Sequence, residues 1–377
     1  MKILLAPDKF RGSLETDEVC TAMASGVRLA FPEAEVVSVP LADGGEGFAK
    51  ALTLNSGGEY ISLVAQDPLR RPIEAAYGLS ADKRTAFIEM AAASGLGLLN
   101  ETERDPMVAT SYGTGQLIAD ALEHGVESII LGIGGSATND AGTGMAAALG
   151  FRFFDKNKKE IFPQGGSLAE IQSIDSSGIH PKLPDTRITV ACDVTNPLYG
   201  ANGAAYIYGP QKGASPQQVE KLDNGLCHLS EIATRTFGRD TSQMPGAGAA
   251  GGVGAGVLWF LNAVLRSGAA IVFEQTQLES QIRDADLVIT GEGKMDRQTL
   301  SGKLVLGVAD MCARYNVPVA AVCGTLALSP EEIKETGITY AVSVIDRPLS
   351  LEDAQRNAFA LVEQATFHLV RLFFYGK

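Results

Sequence analysis

Residues 131–144 read Leu-Gly-Ile-Gly-Gly-Ser-Ala-Thr-Asn-Asp-Ala-Gly-Thr-Gly, and this glycine-rich stretch is the strongest signal in the chain. An apolar run, Ser128 to Ile133, leads into it, and a helix-like run, Met145 to Leu149, follows it. This order predicts a buried strand, a tight turn and a helix start, which together present backbone N–H groups to an anion. We therefore predict a phosphate-binding loop in which Ser136 and Thr138 donate to phosphate oxygens. A turn that serves only close helix packing is the alternative.

Four further predicted strands also end in glycine, acidic or basic residues. The segments and the strands before them are 6–11 after 3–5, 43–47 after 36–39, 191–197 after 187–190, and 291–296 after 287–290. In open α/β sheets, ligands bind outside the carboxyl ends of the strands. We therefore interpret the five strand ends together as parts of one active site.

The order of predicted elements indicates two α/β domains in a chain of 377 residues, which exceeds the usual size of a single core. The first two strands and the last three are predicted to form a five-stranded, parallel, doubly wound sheet of flavodoxin-like or Rossmann-like type. This discontinuous domain comprises residues 1–60 and 284–377. Residues 61–283 form the inserted domain, and we expect the strand-end loops to line the cleft between the two.

Within the inserted domain, short strands at 59–66, 73–79 and 85–90 predict an antiparallel meander and hence a mixed sheet. Elsewhere, helices are predicted by their periodicity, and one segment is predicted to be irregular. The predicted helices are 216–237, the apolar 254–265, 301–315 and the final 351–373, and the irregular segment is 165–178.

Composition excludes several classes of protein. The formal net charge of −13 argues against a nucleic-acid or anionic-membrane surface, although local cations can still bind a small anion. The five cysteines form no C-x-x-C pair, which is typical of a reducing compartment. The N-terminal apolar run stops at Pro7 and Asp8, too short for a signal peptide. We therefore expect a cytoplasmic protein with a small-molecule substrate, as a monomer or homodimer.

Three common motifs do not account for the chain. Gly302-Lys303 is followed by Leu304, so the Walker A pattern is not met. Residues 246–251 fit G-x-G-x-x-G but do not follow a strand, which weakens a dinucleotide interpretation. This run instead predicts close helix packing or a second phosphate-contacting loop. No G-x-S-x-G elbow is present for a hydrolase nucleophile.

Several charged residues at the strand ends have side chains suited to phosphoryl transfer. Lys9 and Arg11 can neutralise a carboxylate or phosphoryl group, unless they form only a solvated ion pair with the neighbouring acid. Asp43 and Glu46, on a glycine-rich turn, suit Mg²⁺ or a base role, while an N-cap is the alternative for Asp43. Asp193 follows a buried strand and is a candidate base for deprotonating a hydroxyl, with an Asx-turn as the alternative.

The sequence resembles the bacterial glycerate kinase family almost from end to end. The segments that carry this resemblance are APDKFRGSL (6–14), ADGGEG (42–47), IEMAAASGL (88–96), GIGGSATND (132–140), ACDVTNPL (191–198), GPQKGA (209–214), GAAGG (248–252) and GEGKMD (291–296). The resemblance implies ATP-dependent phosphorylation of D-glycerate with Mg²⁺, at the 2-hydroxyl to give 2-phosphoglycerate and ADP. It also implies two α/β domains, one of them discontinuous.

On this basis we assign each predicted site residue a role in phosphoryl transfer, which depends mainly on positioning and charge neutralisation. The catalytic candidates are Asp193, Lys9, Arg11 and Lys294. The nucleotide-binding candidates are Gly134, Gly135, Ser136, Thr138, Asn139, Gly142, Gly291 and Glu292. The metal candidates are Asp43, Glu46, Asp140 and Asp296. The alternatives are a non-catalytic two-lobed anion-binding protein, a nucleotide-dependent dehydrogenase, and a kinase with another hydroxy acid or with 3-phosphoglycerate as product.

Overall fold

This computed structural model describes residues 1–297, 299–301 and 304–375, so Gly302 and Lys303 of the rejected Walker A pattern lie outside the described residues. The strands are β1 (Lys2–Pro7), β2 (Glu35–Ser38), β3 (Glu59–Gln66), β4 (Pro72–Leu79), β5 (Thr85–Glu89), β6 (Ser128–Gly132), β7 (Arg152–Phe154), β8 (Glu160–Ile161), β9 (Ser173–Asp175), β10 (Arg187–Ala191), β11 (Val264–Arg266), β12 (Leu287–Gly291), β13 (Lys294–Met295), β14 (Val319–Cys323), β15 (Thr325–Leu326) and β16 (Tyr340–Ser343). The helices are α1 (Thr16–Ala30), α2 (Phe48–Asn55), α3 (Ala91–Ser94), α4 (Tyr112–Glu123), α5 (Thr143–Ala148), α6 (Ala204–Tyr208), α7 (Pro216–Phe237), α8 (Ala249–Phe260), α9 (Gly268–Gln275), α10 (Leu278–Arg283), α11 (Leu304–Tyr315), α12 (Pro330–Glu335), α13 (Leu351–Arg356) and α14 (Ala358–Phe373).

The chain divides into two compact units. Unit 1 comprises Met1–Asp43, Leu54–Ser56 and Ala269–Lys377, and unit 2 comprises Gly44–Thr53 and Gly57–Gly268. The domain boundaries after residues 60 and 283 stay a prediction.

Unit 1 is built on a five-stranded parallel sheet in the order β16-β14-β12-β1-β2. This is the flavodoxin-like strand order, and it confirms the fold class and the five strands predicted for it. β14 is buried along its whole length, which explains its unbroken apolar sequence. α1 and α14 pack so closely at Gly26 that a side chain there would collide with the carbonyl of Glu363. Their apolar faces share one core with β1 and β12.

Unit 2 contains a six-stranded mixed sheet in the order β11-β10-β6-β5-β4-β3. β3, β4 and β5 pair antiparallel, as the meander prediction required. β5, β6, β10 and β11 run parallel to one another, so their carboxyl ends lie at the same edge. The helix predicted at 216–237 is present as α7, with Ser215 accepting from the Gln218 amide at its N-cap and Gly238 in the left-handed region at its end.

Three predictions of local structure were wrong, two in the bounds of a helix and one in the type of structure. The apolar helix 254–265 is instead α8, which ends at Phe260, and the last part of the segment forms β11 beside β10. The chain reverses between them at Asn262, which has a φ of 49°. The segment 165–178 contains β9, which pairs with β7. The final helix is divided at Asn357, whose side chain bonds the carbonyl of Asp353. None of the helices described could cross a bilayer, given their lengths and polarity.

Candidate active site

The parallel strands of unit 2 end in register. Glu89, Gly132, Ala191 and Arg266 are successive partners across β5, β6, β10 and β11. The residues that follow these four strands therefore emerge along one line at the carboxyl edge of the sheet. This is the place at which an open α/β sheet binds its ligands.

The first half of the glycine-rich loop is exposed at this edge. Gly134 and Gly135 are exposed, and Gly135 takes a φ of 71° that favours glycine. The loop is anchored by the Leu96 amide, which donates to the Gly135 carbonyl at 2.8 Å, and by the Ala137 amide, which donates to the Ser94 carbonyl at 2.9 Å. Within the described ranges, no protein acceptor receives the N–H of Gly134 or Gly135. These two amides can therefore bind an anion.

The second half of the loop is buried, which changes the roles expected from the sequence. The Asp140 carboxylate is fully buried and accepts hydrogen bonds from the amide and hydroxyl of Ser111 and from the amides of Gly142 and Gly144. Burial raises the pKa of Asp140 despite these four bonds. Because the buried Asp140 carboxylate binds the Gly142 and Gly144 amides at the start of α5, neither that carboxylate nor these amides are available to a ligand.

Three expected phosphate contacts lie in the same buried half. Thr138 and Asn139 are completely inaccessible to solvent, and Gly142 is buried with a φ of 72°. Gly251 packs so closely on the loop that a side chain there would collide with the Thr138 carbonyl. The run 246–251 therefore performs close packing, one of its two predicted roles. In this conformation the three residues support the loop from inside and do not reach its exposed side.

Lys212, at the end of the short helical segment Pro210–Lys212, is buried against this loop and was not selected from the sequence. Its side chain is 2% exposed, and Nζ donates to Ser136 Oγ at 2.8 Å and to the Thr138 carbonyl at 2.7 Å. Burial lowers the Lys212 pKa to about 7, and the charge of Asp140 acts in the opposite direction. The only signal in the sequence was its place within the family segment 209–214.

Asp193 lies at the same edge as the exposed glycines. Its Oδ2 accepts from the Gly268 amide at 3.1 Å, and a Cβ built on Gly44 would lie 3.4 Å from that oxygen. A Cβ on Gly134 would lie 3.3 Å from the Gly45 Cα. The turn at Gly44–Gly45 therefore lies beside both Asp193 and the loop. Glu46, in the same turn, is exposed.

Glu89 is a second residue that the sequence reasoning missed. Its Oε1 accepts from the Ala49 amide at 2.8 Å and so fixes the first turn of α2. The family segment 88–96 contained it, but no spacing rule indicated this contact.

In unit 1, β1 and β12 also end in register, with Pro7 opposite Gly291. The Asp8 amide donates to the Gly291 carbonyl at 2.8 Å. Burial, together with the charges of Asp43 and Glu292, raises the pKa of Asp8 to about 7. Burial likewise raises the pKa of Glu292, with contributions from Asp296 and Asp43. Four acids at this edge, Asp8, Asp43, Glu292 and Asp296, are thus close enough to repel one another.

Cations and hydroxyls accompany these acids. Lys9 is buried, whereas Arg11 is exposed and its charge opposes the pKa rise of Glu292. Thr299, which the sequence reasoning also missed, donates to Glu292 Oε1 at 2.7 Å and accepts from the Asp296 amide at 3.0 Å. Lys294 Nζ lies 2.8 Å from Asp296 Oδ2. The structure therefore brings Gly291, Glu292, Lys294 and Asp296 together.

The acids of unit 1 fit magnesium chemistry only in part. In the portion of the chain described, no group of three or more His, Cys, Asp or Glu side chains is placed to hold a metal ion. Mg²⁺ usually keeps several waters and takes one or two carboxylates together with substrate phosphates. Asp43 and Asp296 offer such carboxylates. They fit an ion that is bound together with the nucleotide.

Comparison with known proteins agrees with this arrangement. The model of the glycerate kinase family matches residues 3–374. A glycerate 2-kinase from Escherichia coli K12 is 48% identical, covering 95% of this chain and 94% of its own length. A glycerate kinase from Halalkalibacterium halodurans is 45% identical, covering 96% of each chain.

The solved structures give the same result. A crystal structure from Salmonella typhimurium LT2 with the provisional name glycerate kinase 2 superposes with a TM-score of 0.92 at 45% identity, covering 100% of this chain and 99% of that one. The chain therefore belongs to the glycerate kinase family, whose enzymes phosphorylate glycerate.

Proposed function

We propose that this chain transfers the γ-phosphoryl group of ATP to the 2-hydroxyl of D-glycerate, giving 2-phosphoglycerate and ADP. The observation that carries the proposal is the pair of exposed amides at Gly134 and Gly135 at the same sheet edge as Asp193. The name of the Escherichia coli relative, glycerate 2-kinase, supports the 2-hydroxyl as the acceptor.

The residues of unit 2 supply an anion site and a base. The Gly134 and Gly135 amides and the Ser136 hydroxyl bind phosphate oxygens of ATP. Asp193 accepts the proton of the substrate hydroxyl while the oxygen of that hydroxyl forms a bond to the γ-phosphorus. The bond from that phosphorus to the β–γ bridging oxygen breaks, and ADP leaves with the electron pair. The Gly268 amide holds one oxygen of Asp193, which fixes the direction from which the base acts.

The residues of unit 1 are proposed to bind charge. Lys9, Arg11 and Lys294 neutralise the carboxylate of glycerate or the transferred phosphoryl group. Gly291 and Glu292 contact the nucleotide, and Asp43 and Asp296 would hold Mg²⁺ through water. Glu46, in unit 2, stays a separate candidate for a metal ligand. When bound, Mg²⁺ would neutralise negative charge on the phosphates. Asp140 is left out of this metal site because its carboxylate is buried and bonded within the loop. We place the enzyme in the cytoplasm, as a monomer or homodimer.

Product analysis tests the proposal directly. The protein is incubated with ATP, Mg²⁺ and D-glycerate, ADP is followed by a coupled assay, and the product is identified by ³¹P NMR against 2- and 3-phosphoglycerate. We expect only 2-phosphoglycerate. Formation of 3-phosphoglycerate would correct the position of transfer, and turnover with another hydroxy acid alone would correct the substrate. Binding without turnover would favour the anion-binding alternative.

Asp193→Asn tests the base. The substitution should lower kcat by about 100-fold or more, because general-base catalysis contributes on this order, while ATP affinity changes little. Asp223→Asn is a matched control, since Asp223 also accepts one backbone amide, that of Gly200. An Asp193→Asn enzyme with unchanged kcat would remove Asp193 from the chemistry.

A further inference from the structure

The contact between Lys212 and Ser136 determines the direction of a hydroxyl hydrogen. In its protonated form the Lys212 ammonium group can only donate, so Ser136 Oγ then accepts from Nζ across their 2.8 Å contact. The Ser136 hydroxyl hydrogen therefore points away from Lys212. Among the residues that the structure covers, none accepts that hydrogen. Ser136 directly follows the exposed Gly134 and Gly135. On the exposed side of the loop, an acceptor for the Ser136 hydroxyl hydrogen would have to come from a ligand.

The loop has other anchors besides Lys212. The backbone hydrogen bonds to Ser94 and Leu96 hold the first half of the loop, and the buried Asp140 carboxylate holds its second half. A buried ammonium group is a costly way to add a third anchor, since an apolar side chain would fill the same space without desolvating a charge. The presence of a charge at this position therefore points to a role that an apolar side chain cannot perform.

We propose that Lys212 is a positioning residue that directs the Ser136 hydroxyl hydrogen outward, so that Ser136 donates to a phosphate oxygen of the bound nucleotide. The proposal rests on the function proposed above. Lys212 itself, at 2% exposure, acts from behind the loop and does not touch the nucleotide. Its second bond, to the Thr138 carbonyl at 2.7 Å, fixes the ammonium group beneath the loop.

A double-mutant cycle tests whether Lys212 acts through Ser136. Steady-state kinetics with ATP and D-glycerate varied separately are measured for the wild type, Lys212→Met, Ser136→Ala and the double variant. Each single substitution should lower kcat/KM for ATP by about tenfold or more, because a hydrogen bond to a charged group is lost. The KM for glycerate should change less than twofold. The kcat/KM for ATP of the double variant should be no more than about threefold below that of the less active single variant, since the two substitutions remove the same hydrogen-bond donor.

Two results would overturn the proposal. The first is a double variant whose loss is the product of the two single losses, which would mean that Lys212 acts by its charge or by general structure. The second is a Ser136→Ala enzyme with wild-type kcat/KM for ATP, and this result counts even if Lys212→Met does not fold.

Controls separate this proposal from others. Lys182 also donates to two backbone carbonyls, those of Leu122 and Glu123, but it is exposed, so Lys182→Met should leave the kinetics unchanged. Ser136→Thr retains a hydroxyl and should retain most of the activity. A wild-type protein that neither binds ATP by calorimetry nor phosphorylates glycerate would refute the proposed function itself, a result distinct from any pattern among the variants.

Discussion

Replacing Lys212 by Met should remove part of the pH dependence of stability in unit 2. Burial lowers the Lys212 pKa from 10.5 to about 7 in the folded chain, and unfolding exposes the side chain and restores its ordinary pKa. Between these two values the unfolded chain binds more protons than the folded chain, so the free energy of unfolding rises with pH. The penalty for burying the charge is complete below pH 7 and is relieved as the pH approaches 10.5.

The expected size follows from the two pKa values. Between pH 7 and pH 9, the linkage relation gives the wild type a gain of roughly 2 kcal/mol in unfolding free energy from this lysine alone. The Lys212→Met variant lacks that contribution. Other groups that titrate in this range are present in both proteins, so their contributions cancel when the wild type and the variant are compared.

Urea unfolding followed by tryptophan fluorescence measures this difference. Trp259 is the only tryptophan in the chain, it is 5% exposed, and it lies in α8 of unit 2, so its signal reports the unit that contains Lys212. The exposed Lys182→Met variant is the control and should keep the wild-type pH dependence. If the wild type and Lys212→Met gain the same stability between pH 7 and pH 9, the inference that Lys212 is buried with a lowered pKa is refuted.

Three further predictions concern the acids and one glycine. Asp8→Asn should change the pH dependence of unit 1. The folded pKa of Asp8 is raised to about 7, so ionisation of Asp8 costs the wild type roughly 1.4 kcal/mol of unfolding free energy between pH 6 and pH 8. Calorimetric melting should therefore show the wild type losing stability relative to the variant over this range. Asp140→Asn should destabilise unit 2 by roughly 1–3 kcal/mol in urea, since an amide nitrogen would face donors such as Ser111 that now bond a carboxylate; an unchanged urea midpoint would contradict the described loop. Gly44→Ala should cost about 1–3 kcal/mol and lower kcat, because Gly44 has a φ of 96° and a Cβ there would lie 3.1 Å from the Gly268 Cα; wild-type activity and stability would show that this turn has room to relax.

The fold was largely predictable because its elements carry local signals. The five strands of unit 1 are short apolar runs between helical segments, and α7 has a serine N-cap before Pro216 and a glycine at its end. β11 was missed because its three residues, Val264–Arg266, give too short a pattern to separate from the apolar helix before it. Its place in the sheet is determined by pairing with β10, which is not a local property.

The sequence could predict which strand ends form the candidate site, but not which of their residues are buried. The spacing of hydroxyl and amide residues in 134–144 gave Thr138 and Asn139 the same predicted role as Ser136, yet only the folded chain shows that the first two are fully buried. Lys212 escaped selection because its contact with Ser136 spans 76 residues, and no motif records such a pairing. Periodicity indicates which residues are apolar inside an element, but it does not show which face of a loop is turned toward solvent.

The row of Glu89, Gly132, Ala191 and Arg266 has a consequence for biogenesis. Asp193 obtains its Gly268 partner from a residue 75 positions later in the chain, and that residue follows the last parallel strand of unit 2. During translation the proposed base is therefore made well before the amide that orients it. Pairings of such long sequence separation form slowly. Activity should consequently arise late in refolding, after most secondary structure has formed, and a nascent chain that stops before β11 should be catalytically silent.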